Sequence, residues 1–446
     1  MSRSAGRRAD PARRAAYRVL RRVSDEDAYA NLALAHEAAG LSPRDAAFAT
    51  ELTFGTCRAL GTYDAILQAV SKRPLAELDP PVLDLLRLGS HQLLAMRVPQ
   101  HAAVDSTVAL AKAEVGPRIT GFVNAVLRKV AGDSLAGWVD WLTADADPRD
   151  ALALATQHPR WIVDAWADAL GQPGEAELRA ALEADNRAPV NHLVVRPGLA
   201  AVSELGGEPA RYSPFGAYAS GAPGGVPAVA EGRAGVQDEG SQLVALALSR
   251  VAAPSGPWLD LCAGPGGKAA LLAGLAIEAG TRLVAGELQP HRARLVAQNL
   301  AGYATDANAP VALVADGTRP GWAPGSFAKV MADVPCSGLG ALRRRPEARW
   351  RRQPSDIDDL AGLQIALLHS ALAAAAPGGV VAYVTCSPHL DETRGVLATA
   401  GEAEILPAAD YLPEVPDAAV GDFVQLWPHR HGTDAMFLAL LRVGGG

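Results

Sequence analysis

The chain has 446 residues, enough for two to four domains with full hydrophobic cores. A composition of 49% hydrophobic and 20% charged residues excludes intrinsic disorder. Forty-one basic against 48 acidic residues give a net charge of −7, which excludes a histone-like polycation but leaves room for a local basic surface.

The N-terminal stretch MSRSAGRRADPARR lacks the apolar core of a secretory signal, and Pro377, Gly378 and Gly379 interrupt the apolar stretch Ala371–Val384. A cytoplasmic protein with no membrane span is expected. Residues 1–10 form an Arg-rich arm. From Ala12 to about Val130, apolar residues recur at helical spacing, with Pro and Gly punctuation at Pro43, Pro80-Pro81 and Val98-Pro99. This predicts an all-α bundle. Arg7, Arg8, Arg13, Arg14, Arg18, Arg21 and Arg22 cluster at its start, a solvated helix face or a surface for a polyanion.

Between about Gly132 and Gly235 the pattern changes. Helices are predicted at Arg160–Leu170 and Glu175–Asn186, then a strand at HLVVRPG, then the Gly/Pro-rich run SPFGAYASGAPGGVP. From Gln237 onward, short apolar strands alternate with helices: WLDLC (258–262), RLVAGEL (282–288), VALVAD (311–316), KVMADV (329–334) and GGVVAYVTC (378–386). That alternation means a parallel sheet covered on both faces, a doubly wound α/β fold. The run DFVQLWPHRHGTDAMFLALLRV predicts an antiparallel edge. The expected organisation is an all-α domain over 1–140, a small α/β connecting domain over 141–235 and a Rossmann-like domain over 236–446.

The strand WLDLC runs into Ala263-Gly264-Pro265-Gly266-Gly267-Lys268 and then a helix, so the backbone can turn sharply and present free N–H groups to a ligand. Glu287 ends the second strand, where a carboxylate can bind ribose hydroxyls, and Asp316 ends the third. The set points to an adenosine-bearing cofactor. Gly264-x-Gly266-x-x-Ala269 with Glu287 also satisfies a dinucleotide fingerprint, whereas a phosphate P-loop fits worse because Ala269 follows Lys268.

Four cysteines are too few and too scattered for a disulfide framework or a zinc ribbon, and His429 and His431 lack partners at zinc spacing, so no metal is expected. Cys57 reads as core. Cys336 follows the fourth strand in Asp333-Val334-Pro335-Cys336, and Cys386 ends the fifth in Thr385-Cys386-Ser387. Two thiols and an acid on one lip of an open sheet suit nucleophilic addition to an electron-poor carbon. Cytosine C5 becomes nucleophilic only after a nucleophile has added at C6, and an acid at N3 assists that addition. A dehydrogenase has no use for this set, so S-adenosylmethionine is preferred over NAD.

These motifs resemble the Sun/Fmu family, the RsmB-type RNA cytosine-C5 methyltransferases. The resemblance rests on QDEGSQLVALAL (237–248), LDLCAGPGGK (259–268), Glu287, Asp316, DVPCSGLG (333–340), RRRPEARW (343–350) and VTCS (384–387). The segments GTCRALGTYDAIL, LDLLRLGSHQLL, VPQHAAVDSTVALAK and GFVNAVLRKV resemble the antitermination factor NusB. The resemblance implies a class I methyltransferase domain behind a NusB-like RNA-binding domain, acting on small-subunit rRNA as a monomer. It implies that Cys386 attacks C6, that Asp333 supports N3 and lies beside the cofactor, and that Cys336 assists release of the methylated base. Cys262, Ala263, Gly264, Pro265, Gly266, Gly267 and Lys268 would line the methionine and ribose of S-adenosylmethionine, Glu287 its ribose hydroxyls and Asp316 its adenine. Two positions depart from the family pattern: Glu287 stands where Asp is usual, and Gly264 where Ala is usual.

Arg343, Arg344, Arg345 and Arg349, with Trp350 among them, are expected to offer phosphate contacts and a stacking surface beside the target base. The competing readings are the same chemistry on tRNA, or an RNA-binding assembly or antitermination factor without catalysis. Intact Lys268, Asp333, Cys336 and Cys386 speak against the last.

Overall fold

The computed structural model describes residues 9–444, so Arg7 and Arg8 of the arginine cluster lie outside the described residues. The chain divides into two compact units. One comprises residues up to Ala167 with Glu175–Asn186 and Arg344–Arg352; the other comprises Asp168–Gly174, Arg187–Arg343 and Gln353 onward.

The first unit is helical, as expected. Its bundle holds α1 (Pro11–Glu26), α2 (Ala30–Glu37), α3 (Pro43–Arg58), α4 (Leu60–Val70), α5 (Pro80–Leu94), α6 (Gln100–Glu114) and α7 (Thr120–Val130). Local chemistry sets the boundaries. Asp10 caps α1 by accepting from the Arg13 N–H at 2.9 Å, with Pro11 at the first helical position, and Ser42 caps α3 ahead of Pro43. Apolar faces of α1, α3, α4, α5 and α7 meet in one core around Ala16, Leu52, Ile66, Leu86 and Leu127, each fully buried. Cys57 sits in that core, as expected.

The α1 arginines do not form a free basic face. Arg13 donates to Gln92 Oε1 at 2.6 Å, Arg14 and Arg18 pair with Glu114, Arg21 pairs with buried Asp84 at 2.7 Å, and Arg22 pairs with Glu26. Helical spacing places these arginines together, but the carboxylates that answer most of them come from other helices.

Helices α8 (Leu135–Leu142), α9 (Pro148–Ala155), α10 (Arg160–Ala169) and α11 (Glu175–Asp185) follow, the last two close to their predicted limits. A fully buried polar cluster ties this part to residues 344–352. His158 Nε2 and Arg349 Nη2 both meet Asp185 Oδ2, at 3.1 and 3.0 Å, and Arg349 Nη1 donates to Asn186 Oδ1 and the Gln157 carbonyl. The expected connecting domain, 141–235, is therefore not one body: its helices belong mostly to the first unit and its strands to the second.

Those strands, β1 (His192–Val195), β2 (Glu208–Pro209), β3 (Gly216–Tyr218) and β4 (Ala234–Val236), form an antiparallel sheet in the order β2-β3-β1-β4. Val194 and Tyr212 share a core with α13 (Glu239–Arg250), which Asp238 caps. Buried Glu239 accepts from the Tyr212 and Ser213 N–H groups, so this sheet is pinned to α13.

The larger sheet holds β5 (Trp258–Asp260), β6 (Leu283–Glu287), β7 (Val311–Val314), β8 (Phe327–Asp333), β9 (Ala375–Thr385), β10 (Glu404–Leu406), β11 (Ala419–Val420), β12 (Phe423–Gln425) and β13 (Phe437–Arg442). Its order is β11-β12-β13-β9-β8-β5-β6-β7, with β10 also on β13. Strands β5 to β9 are mutually parallel, and β13 runs antiparallel to β9. Along β9, Val380, Ala382 and Val384 face the core built with α13 and α14 (Gly267–Glu278), while Val381 and Tyr383 face α17 (Ser355–Ala374). Both faces are covered, as continuous apolar strands require.

Two details differ from expectation. The run FLALLR is a buried interior strand between β9 and β12, so only the shorter runs before it lie at the edge. Strand β7 is mostly exposed because it is the outer strand, flanked only by β6. Helix α17 is long and apolar enough to cross a membrane by length and composition, yet Leu367, Leu368, Ala371 and Ala374 are packed into the core against the sheet.

Candidate active site

The carboxyl ends of the parallel strands gather the candidate residues. Strand order reverses at β5, between β6 and β8, where open α/β sheets bind ligands. The loop 261–266 leaves β5 and enters α14. Gly266 has φ +113°, and a Cβ there would lie 3.0 Å from the Val296 backbone, so the loop packs directly on α15 (Pro290–Leu300) and only glycine fits.

Glu287, at the end of β6, is buried. It accepts from the Gly264 N–H at 3.1 Å and the Gln289 N–H at 2.9 Å, and Arg292 braces the loop by donating to the Gly264 carbonyl. Asp316 lies just past β7, exposed; the Thr318 hydroxyl and N–H hold its carboxyl below the usual range. Lys268 Nζ sits 2.8 Å from Asp333 Oδ2. Burial works against the Lys268 charge, but the neighbouring Asp333 outweighs it and leaves the lysine above its ordinary pKa.

Asp260, behind this pair, is 1% exposed, and the Cys262 backbone N–H is the hydrogen-bond donor that acts on its carboxylate. Burial first and the Asp333 charge second raise it to about 7. Gln237 is also buried, with both amide atoms unpartnered and its carboxamide beside Gly267. In sequence Gln237 is only the first residue of the motif QDEGSQLVALAL. Nothing local marks it for binding, since its role depends on β4 delivering it to the glycine loop.

Cys336 Sγ and Cys386 Sγ are 3.3 Å apart, across the ends of the adjacent strands β8 and β9. Backbone bonds lock this lip: Val334 N–H to the Val384 carbonyl, Gly340 N–H to the Cys386 carbonyl and Ala435 N–H to the Gly340 carbonyl. A Cβ at Gly340 would meet the Ala435 carbonyl oxygen at 2.2 Å, so the close approach needs glycine there. Cys262 is half-buried against the core, and desolvation pushes its thiol up, which suits a packing role beside the loop.

The arginine run after Cys336 is not the expected phosphate-binding surface. Arg343 is buried and donates to Asp434, Asp238 and the Gly432 carbonyl. Arg349 is buried on Asp185. Trp350 donates to the Arg58 carbonyl at 3.1 Å and stacks its ring against Gly61, and Glu347 accepts from the Ala30 N–H at the start of α2. Of the four arginines only Arg345 is exposed, lying over the Tyr29 ring. Their partners lie in distant parts of the chain, where sequence spacing cannot reveal them.

The chemistry of these strand ends fits S-adenosylmethionine. Backbone N–H groups of a glycine loop, the β6-end carboxylate of Glu287, the buried carboxylate of Asp260 and the unpartnered amide of Gln237 suit its ribose hydroxyls and its amino-acid end. Among the described residues, no cluster of three or more His, Cys, Asp or Glu side chains is arranged to hold a metal ion.

Comparison with known proteins agrees. Residues 247–442 match the family described as 16S rRNA methyltransferase RsmB/F, and residues 10–132 match the NusB family. A Mycobacterium tuberculosis protein whose name goes no further than methyltransferase is 53% identical, over 97% of this chain and 96% of its own. Ribosomal RNA small subunit methyltransferase B of Pseudomonas putida is 33% identical, over 86% of this chain and 87% of its own. The solved structure of PH0851 superposes with a TM-score of 0.77 at 21% identity, covering 97% of this chain and 98% of that one, and so shares the fold. NSun6 from Pyrococcus horikoshii, solved with SFG, shares it over 64% of this chain and 98% of its own, with a TM-score of 0.52 at 17% identity. With relatives of this identity spanning nearly its whole length, and a glycine loop and strand-end acids suited to S-adenosylmethionine, the chain belongs to the RsmB/F family of S-adenosylmethionine-dependent methyltransferases.

Proposed function

We propose that the protein methylates C5 of a cytosine in small-subunit rRNA through a covalent bond between Cys386 and C6. The observation that carries this reading is the contact of two thiols, 3.3 Å Sγ to Sγ, on the lip that also bears the Lys268–Asp333 pair. A base must be single-stranded or flipped out to enter such a site.

Cys386, as thiolate, adds to C6, and the C5=C6 electrons move to make C5 nucleophilic. Lys268 supports the thiolate charge, since its ammonium is favoured by both Asp333 and Cys386. Lys268 holds Asp333 Oδ2, leaving Oδ1 to relay the Cys336 proton to N3 as Cys386 adds, so that the ring becomes a neutral enamine. Bound S-adenosylmethionine supplies an electrophilic methyl group. C5 takes that group as its bond to the sulfonium sulfur breaks. Cys336, now a thiolate, then accepts the C5 proton, the S–C6 bond breaks, the ring double bond re-forms, Cys386 departs as thiolate and the N3 proton leaves to solvent.

The order follows from the pair. The Cys336 thiol is raised well above its ordinary value, first by its hydrogen bond with Cys386 and then by burial. Once Cys386 is bonded to C6 it can no longer share that proton, and Cys336 ionises more readily when a base is needed. Relatives named for the small ribosomal subunit favour rRNA over tRNA as the substrate.

The test separates the two cysteines. Cys386→Ala abolishes turnover and leaves no covalent RNA adduct. Cys336→Ala stalls after methyl transfer and gives a slow-migrating protein–RNA band, stable to denaturing electrophoresis, that carries one labelled methyl group. The reverse pattern assigns the nucleophile to Cys336. Methylation unaffected by either change makes both residues packing. Bisulfite sequencing of rRNA and tRNA from a deletion strain identifies the substrate.

A further inference from the structure

Behind the two thiols lies a carboxylate that the reaction outlined above does not use. Glu392 is 0% exposed, in the turn after β9. It accepts from the Ser337 N–H at 2.7 Å, the Ser337 hydroxyl at 2.5 Å and the Gln364 amide at 3.0 Å. No cation pairs with it among the described residues. A buried carboxylate held only by neutral donors costs several kcal/mol to desolvate, so apolar packing would serve the fold better.

Its partners explain the retention. Ser337 follows Cys336, and the Ser337 hydroxyl is also 3.0 Å from the hydroxyl of Ser387, which follows Cys386. Gln364, on α17, donates to both Glu392 and the Pro335 carbonyl, on the other side of Cys336. One carboxylate therefore anchors the residues flanking Cys336 and, through one hydroxyl, the loop of Cys386. The Ser387 N–H bonds back to Thr385, so that loop is tied as well.

We propose that Glu392 is the positioning residue of the reaction: it holds the two sulfurs in contact and, by its charge, keeps their shared proton on Cys336, so that Cys386 is the thiolate that attacks. The charged and titratable groups around the pair fit this division. Glu392 and Asp333 act on Cys336 and disfavour its anion, Lys268 faces Cys386, and Tyr383, also buried, donates its hydroxyl to the Glu392 carbonyl. The proposal rests on the covalent reading of Cys386, but its alkylation readout does not need catalysis.

The full-length protein and Glu392→Gln are alkylated with iodoacetamide between pH 6 and 10, and each cysteine is read separately by peptide mass spectrometry. In Glu392→Gln, Cys336 is expected to react at lower pH, with a severalfold faster rate at pH 8. Methylation is expected to fall at least tenfold in kcat, with KM for S-adenosylmethionine within twofold of wild type. An unchanged Cys336 profile overturns the proposal, whatever happens to stability. If Glu392→Gln does not fold, Ser387→Ala cuts the link to the Cys386 loop while leaving the carboxylate in place. It is expected to slow methylation severalfold, and full activity there overturns the positioning role. Failure of the covalent reading is distinct, since it appears as undiminished methylation by Cys386→Ala.

Discussion

The carboxylate of Glu287 fills the space in which a side chain at residue 264 would begin: a Cβ built on Gly264 would lie 2.0 Å from Glu287 Oε2. The two positions are thus coupled in the structure. The longer acid at 287 reaches the loop backbone, accepts the Gly264 N–H, and requires that 264 carry no side chain.

Gly264→Ala should therefore displace Glu287 and weaken S-adenosylmethionine binding by about 1.5–3 kcal/mol, the scale of a charge-assisted hydrogen bond. Adding Glu287→Asp, which shortens the acid by one methylene, should recover most of that loss, although Glu287→Asp alone weakens binding. Calorimetry on the four proteins measures the coupling, and additive losses would show that the two positions act independently.

Gln237 has an unsatisfied buried amide beside Gly267, a cost that a ligand can relieve. Gln237→Leu is expected to raise the thermal midpoint of the ligand-free protein while shrinking the upward shift caused by saturating S-adenosylmethionine. An undiminished shift in differential scanning fluorimetry would mean that the amide does not touch the ligand.

RNA affinity is expected to come from a different face of the helical unit than the α1 arginines. Lys72, Arg73, Arg118 and Lys129, outnumbering Glu77 and Asp79, line a cavity of about 670 Å³ whose apolar walls include Phe122, and Lys129 also borders Trp138 and the exposed Trp141. Cations around stackable rings suit a single-stranded segment. Replacing the four cations by Ala should lower the slope of log affinity against log salt by about 3, leaving cofactor binding unchanged. Arg14→Ala with Arg18→Ala, which removes ion-paired arginines, should change the slope little. Equal effects of the two sets in a fluorescence titration would sink this assignment.

Arg349 distinguishes fold from RNA contact. Its removal leaves Asp185 buried without its cation, so Arg349→Ala should destabilise the helical unit by about 3–5 kcal/mol. A phosphate-contacting arginine would instead lose RNA affinity at constant stability. Deleting residues 1–130 would likewise strip the partners of Glu347 and Trp350, so it perturbs more than an accessory domain.

His158 makes this cluster pH-sensitive. Burial, then the nearby Arg349 charge, pushes its imidazole from 6.5 down to about 4. Asp185 at Nε2 and the Thr156 carbonyl at Nδ1 pull the other way, but burial outweighs them, so the folded state binds protons here less readily than the unfolded chain and stability is lost as pH falls below about 6.5. In urea melts at pH 7 and pH 5, His158→Gln should lose less stability than wild type between the two. Equal losses would place the pH sensitivity elsewhere.

Local sequence determined the parts of this protein that depend on neighbours along the chain. Helical spacing with Asp10-Pro11 and Ser42-Pro43 starts, apolar strands ending in Asp260, Glu287, Asp333 and Thr385, and a glycine loop between β5 and α14 are all short-range features, so the helical bundle, the parallel sheet and the strand-end residues were legible. Tertiary structure alone decided which charges are free. Arg21 finds Asp84 63 residues away, and Arg349 finds Asp185 164 residues away; a buried ion pair depends on where the fold brings its partner, which spacing does not encode. The same holds for Glu392, an ordinary turn residue in sequence, whose contact with Ser337 spans 55 residues because β8 and β9 are neighbours in the sheet. Desolvation makes such contacts energetically decisive, and only the assembled core determines what is desolvated.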